Sequence, residues 1–196
     1  MNAPRKIAIA LAAAVIAGSS WADNAHPPMD TLDFESLGVG DLGTTTASLP
    51  DATIVSAGSS LFQLSQFYFG GQGGAICALT SSFTCAADLT INFTTAVTGL
   101  TFQTVGYDPG DKVKIYAYDG STLVAVRTVT SDKTVSFAHV GPITSLFFDD
   151  RNSTGAGFGY GMFCFTPQVP EPASIAMLLA GLGILGVKAR RRNDSA

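Results

Sequence analysis

From residue 88 onward, apolar and polar residues alternate with a period of two, the spacing that puts successive side chains on opposite faces of a strand. The pattern predicts strands at "DLTINF" (Asp88 to Phe93), "TGLTFQTV" (Thr98 to Val105), "KVKIYAY" (Lys112 to Tyr118) and "TLVAVRTV" (Thr122 to Val129). It continues through "KTVSFAHV" (Lys133 to Val140), "ITSLFFDD" (Ile143 to Asp150) and "GFGYGMFCF" (Gly157 to Phe165). Turn residues separate them: Asp108-Pro109-Gly110-Asp111, Asp119-Gly120, Ser131-Asp132 and Gly141-Pro142. Asp-Gly in "AYDGSTLVA" supplies the positive φ angles of a tight hairpin turn. The segment from Asp33 to Gly74 is less regular; "LFQLSQFYF" reads as a strand and the Gly-rich stretches around it as loops. Short strands at near-regular spacing, with no apolar period of 3.6 residues, predict an all-β fold, a single antiparallel β-sandwich over residues 23–168.

Both ends follow a different pattern. Arg5 and Lys6 precede a continuous apolar run, "IAIALAAAVIAG", and Ser20-Trp21-Ala22 then leads to Asp23. A positive start, a short apolar stretch and small residues at positions −3 and −1 compose a secretory signal peptide over residues 1–22. Cleavage is expected between Ala22 and Asp23 by signal peptidase, since the run is short and wrongly flanked for a membrane span. At the other end, Val169-Pro170-Glu171-Pro172 is followed by an apolar segment, 173–187, and by the cations Lys188, Arg190, Arg191 and Arg192. As a helix those apolar residues reach roughly 22 Å, against about 30 Å of hydrocarbon. The basic cluster would stay in the cytoplasm and leave the body outside.

Setting the ends aside changes the charge. Residues 23–168 hold 5 basic and 13 acidic side chains, a net charge of about −8. Such a body repels phosphate backbones, so nucleic-acid binding is excluded as a leading function.

The tail resembles the PEP-CTERM sorting signal: a Val-Pro-Glu-Pro motif (169–172), a short helix rich in Ala, Gly and Leu (173–187), and an Arg-rich end (188–192). The resemblance covers about 25 residues. It implies an exported protein of a Gram-negative bacterium, held transiently in the inner membrane and processed by an exosortase, with a final place at the cell surface or outside the cell. Proteins with this tail accompany exopolysaccharide and biofilm systems, so exopolysaccharide is an implied partner. The body is also similar to exported β-domains that precede such tails, and resembles jelly-roll or galactose-binding-like modules. The shared features are an acidic opening strand, here Asp33-Phe34-Glu35-Ser36-Leu37, and an aromatic closing strand, here Phe158 to Phe165. In several such modules a structural calcium ties the first strand to the last. Asp33, Glu35, Asp149 and Asp150 are the hard oxygen ligands this would use here; otherwise they are solvated strand-edge residues. The Asp often found in that closing strand is missing from "GYGMFCF". No other cofactor is implied.

Cys77 and Cys85 enclose "ALTSSFT", a loop short enough for a local disulfide in an exported protein. Cys164 is expected to be a free, buried thiol, the alternative being a bridge to one of the other two. Without a "CxxC" or a nearby His, zinc binding and thiol redox chemistry are not indicated.

Catalytic signatures are missing as well, and no enzyme activity is expected. There is no "GxSxG" elbow, and "FGGQGGA" lacks the Lys of a phosphate-binding loop. Asp149 and Asp150 are strand neighbours on opposite faces and cannot flank one glycosidic bond. His139 reads as a partly exposed strand residue rather than a general base. Two roles remain for the body: a structural or adhesive building block of the extracellular matrix, or a glycan-binding module. The second would use aromatic platforms, with candidates Phe67, Tyr68, Tyr107, Tyr116 and Tyr160. Trp21, the chain's one tryptophan, leaves with the signal peptide.

Overall fold

The computed structural model describes residues 29–65 and 74–168. Their strands are β1 (Asp30–Thr31), β2 (Gly40–Asp41), β3 (Thr46–Ser48), β4 (Ala52–Ser56), β5 (Ser60–Leu64) and β6 (Ala75–Leu79). There follow β7 (Leu89–Val105), β8 (Lys112–Asp119), β9 (Thr122–Val129), β10 (Lys133–Ser136), β11 (Ile143–Asn152) and β12 (Gly159–Pro167). Among the described residues no helix is long and apolar enough to cross a membrane.

All twelve strands join one open antiparallel sheet, whose main path runs β2-β5-β6-β12-β7-β11-β8-β9. The all-β antiparallel expectation therefore holds. Two separately bonded sheets are not observed, because β7 belongs to both halves of the structure. Residues Leu89 to Phe93 of β7 pair with β4 on one side, and β11 pairs along the other. From Val97 to Val105 the same strand pairs with β12, and Thr101 to Thr104 pairs with β10.

The two strands expected at residues 88–93 and 98–105 are thus one strand of 17 residues. Polar Thr94 and Thr95 interrupt the apolar alternation, which suggested a break, but the backbone stays extended through them. The interior positions change parity near Gly99: Leu89, Ile91, Phe93 and Val97 are buried before it, and Leu100, Phe102 and Thr104 after it. Gly99 has φ +65° and nothing near the position a Cβ would take, so the chain slips one residue there without a steric penalty.

The core is aromatic and centres on Phe102. Its ring stacks on Phe163 at 4.7 Å and meets Phe148 edge-on at 5.6 Å. Phe148 of β11 packs against Tyr160 of β12 at 4.1 Å, although these strands are not hydrogen-bonded neighbours. Each such buried ring contributes about 2 kcal/mol or more by leaving water.

The opening of the domain departs from expectation. Asp33 to Leu37 is not a strand: Phe34–Leu37 forms a 3-10 turn capped by Asp33, whose carboxylate accepts the Glu35 N–H at 3.0 Å. The cap satisfies an end N–H that a strand would have paired, and it drives Phe34 inward against Phe163. The strand lies just before it, and β1 pairs with β12 through Asp30 opposite Phe165 and Thr31 opposite Cys164. The strand expected at Lys133 to Val140 ends at Ser136, because the chain turns at once: the Ser136 hydroxyl accepts the Ala138 N–H and the Phe137 carbonyl accepts the Val140 N–H, with His139 exposed in that turn.

Candidate functional site

One cluster of polar groups lies where the loop after β7 meets the loop after β11. Asp111 keeps 1% of its surface exposed, yet three donors converge on its carboxylate. The Thr154 N–H and hydroxyl reach Oδ1 at 2.6 and 2.7 Å, and the Asp108 N–H reaches Oδ2 at 2.8 Å. Burial alone would raise this carboxyl, but the bonds from Asp108 and Thr154 outweigh it and hold it below its ordinary value. Asp150 behaves in the opposite way: burial, with Asp88 and Asp111 nearby, raises it despite the hydrogen bond from Ser153.

Beside this cluster the Tyr107 ring stacks on Phe158 at 4.1 Å. Its N–H donates to Asp132 at 2.9 Å, while its hydroxyl is buried without a hydrogen bond of normal geometry. Burial pushes the Tyr107 phenol far up, and that of Tyr160 also. A cavity of about 210 Å³ adjoins, lined by Leu64, Val105, Gly106, Asp108, Gly157 and Phe158, among others. Its walls are mostly apolar, and no His or thiol nucleophile faces it. The cluster joins two loops, with the Thr154 and Ser153 hydroxyls each donating to a carboxylate.

Cys77 and Cys85 are bridged, with Cα atoms 5.5 Å apart. Cys77 lies in the middle of buried β6, and Cys85 bridges to Gly157, so the disulfide links β6 to the loop before β12. Cys164 is free but half-buried rather than buried, since its side of β12 faces outward opposite Thr101.

The four acids considered for calcium do not come together. Asp33 caps the 3-10 turn, and Glu35 is exposed on it. Asp149 is ion-paired to Arg151, and Asp150 accepts from Ser153. Among the described residues no group of three or more His, Cys, Asp or Glu side chains is placed to hold a metal ion.

The aromatic candidates separate by position. Tyr160 keeps 4% of its surface and is a core residue against Phe148, so no ligand can stack on it. Tyr107 is half-buried in its stack with Phe158. Tyr116 lies on the outer face of the sheet, beside Phe147 at 6.1 Å between ring centroids. Phe67 and Tyr68 lie outside the described residues.

Sequence reasoning missed Phe147, Tyr118, Lys114 and Arg151, which share the face with Tyr116. The signal was present. Lys112, Lys114, Tyr116 and Tyr118 alternate with buried Val113, Ile115 and Ala117, which places all four on one side of β8. Asp111 was missed because a turn Asp ordinarily faces solvent.

The signal peptide (1–22), its cleavage residues Ala22 and Asp23, and the tail from Val169 onward also lie outside the described residues. What the structure does place is the boundary. Strand β12 ends at Pro167, and the Gln168 N–H donates to the Ala96 carbonyl at 2.7 Å. A family model for the PEP-CTERM protein-sorting motif matches residues 168–192, starting at that boundary. The chain carries a PEP-CTERM sorting motif. The PEP-CTERM motif implies export with a C-terminal membrane-associated sorting signal, and processing by an exosortase. It spans Val169, Pro170, Glu171 and Pro172 and the cations Lys188, Arg190, Arg191 and Arg192. No curated protein matches the chain.

Proposed function

We propose that this protein is an exported building block of the cell surface or extracellular matrix, of structural or adhesive kind, delivered by exosortase processing. The observation that carries the reading is the adjacency of the sorting motif to the last strand: the match begins at residue 168, one residue after β12 ends. Signal peptidase removes residues 1–22, the apolar segment 173–187 holds the precursor transiently in the inner membrane, and the exosortase acts near Pro170-Glu171-Pro172. The body is read as a jelly-roll-like sandwich in which the open sheet folds over at β7. Contact between Phe148 and Tyr160, from strands on opposite sides of β7, supports that reading.

Cell fractionation with intact-mass analysis tests the export step. The mature protein is expected to begin at Asp23 and to be recovered outside the cytoplasm. Retention of Trp21, or recovery of the protein only in the cytoplasm, would contradict it.

A second reading, glycan binding, is favoured by one observation: Tyr116, Phe147 and Tyr118 lie half-buried on the outer face of the sheet, with Ser145, Asn92 and Lys114 among them in register. A glycan array probed with the full chain in mild detergent checks it, and no retained glycan would leave the structural role alone.

A further inference from the structure

We infer that the outer face of β8 and β11 binds an acidic polysaccharide, a chain of sugars bearing carboxylates. The inference rests on the glycan-binding reading and specifies its ligand. Charge is the first observation. All five cations of residues 23–168 fall between Lys112 and Arg151, whereas its thirteen acids are spread along the whole segment. Three of the five, Lys112, Lys114 and Arg151, accompany Tyr116 on this face, with the Asp149 carboxylate among them and Asp88, which accepts the Asp150 N–H, at its border. An anionic chain is repelled by the rest of the body and drawn to this one region.

Register is the second observation. Tyr116 lies opposite Phe147 on β11 and opposite Val126 on β9, which gives a row of apolar side chains across three strands. The next row holds Lys114, opposite Asp149 on one side and Thr128 on the other. Rows two residues apart along a strand are separated by about 7 Å, so apolar and charged rows succeed each other over the width of a sugar unit. Aromatic rings present an apolar face to the C–H side of a pyranose, and the neighbouring cations meet its carboxylate.

Availability of the cations is the third. Asp149 is ion-paired with Arg151, and neither Lys112 nor Lys114 forms an ion pair among the described residues. The Arg151 guanidinium also donates to the Tyr116 hydroxyl at 3.3 Å, which fixes the edge of that ring. Its remaining N–H donors keep the geometry that suits a carboxylate. The edge strand β9 continues the surface, with Leu123 and Val126 exposed by 49% and 38%.

The test uses the full chain reconstituted in phosphatidylcholine nanodiscs, with calorimetric titration of polygalacturonate and of the same polymer after reduction of its carboxyls. Polygalacturonate is expected to bind about tenfold more tightly than the reduced polymer, and to weaken as salt is raised. Lys114→Gln and Tyr116→Ala should each weaken it about fivefold. Circular dichroism would check that Tyr116→Ala keeps its fold; Lys114→Gln, at an outward-facing position, carries the test if it does not. Equal affinity for both polymers would overturn the acidic specificity and leave the glycan reading standing. Failure to bind either polymer would overturn both. Unchanged binding by Lys114→Gln would place the site elsewhere.

Discussion

Carboxylates drawn out of water are tolerated when donors replace it, and buried Asp111 and half-buried Asp150 illustrate the two sides of that rule. Asp111 receives three hydrogen bonds from Asp108 and Thr154. Its folded pKa lies below its ordinary 3.8, so its contribution is complete above that value and is lost as pH falls through the folded one. Asp111→Ala leaves the Asp108 and Thr154 N–H groups without this acceptor and is expected to cost about 2 kcal/mol. Thermal melts at pH 7 and pH 3 check this: the loss should be large at pH 7 and smaller at pH 3. At Asp150 the sign reverses. Its pKa is raised in the folded state, so the charged form lowers stability as pH rises through that value. Asp150→Asn keeps an acceptor for Ser153 and removes the charge beside Asp88 and Asp111. Its melting temperature should exceed that of the native chain at pH 7, with the difference shrinking at low pH; a lower value at pH 7 would contradict the assignment.

At the level of elements, the sequence was most legible where alternation is clean and turns are strong. Strand β9 has the expected limits, β8 and β11 run one and two residues further at the C-terminal end, and β12 lies two residues later at both ends. Legibility failed for physical reasons elsewhere. β6 is buried at every position, so it has no alternation to read. β3 has 3 residues and follows a polar run, too short for a period. At Asp33 to Leu37 a local side-chain cap overrode the strand pattern. The disulfide pair could be read because its loop is short, whereas the aromatic face needed the register of β8 against β11. Two glycines measure how much the links between elements matter. Both have positive φ, +65° at Gly99 and +81° at Gly157. A Cβ on Gly99 meets nothing, so Gly99→Ala should cost about 1 kcal/mol from backbone strain. A Cβ on Gly157 would run into the Cys85 backbone, the contact that joins the disulfide loop to β12. Gly157→Ala is therefore expected to cost about 3 kcal/mol. Urea unfolding of the two variants compares them, and equal midpoints would show that the contact carries no weight.

At the scale of the whole molecule, a β-domain rich in carboxylates is joined to a short apolar tail with a basic end. Apolar residues 173–187 reach about three quarters of the way across the hydrocarbon as a helix. In the proposed account they hold the precursor only until it is processed, with Lys188, Arg190, Arg191 and Arg192 each costing several kcal/mol to move through the hydrocarbon. Pro170 and Pro172 disfavour helix at the motif, as a segment read by a processing enzyme requires. Because β12 ends at Pro167, removal of the tail takes no strand from the sheet. The most direct measurement is the intact mass of protein recovered outside the inner membrane of a strain carrying an exosortase, for the native chain and for one with Pro170, Glu171 and Pro172 replaced by alanine. The native protein is expected to lack Ala173 to Ala196, and the altered one to remain a full-length precursor in the inner membrane. Native surface protein that still carries Lys188 to Arg192, or an altered chain that matures normally, would contradict the account.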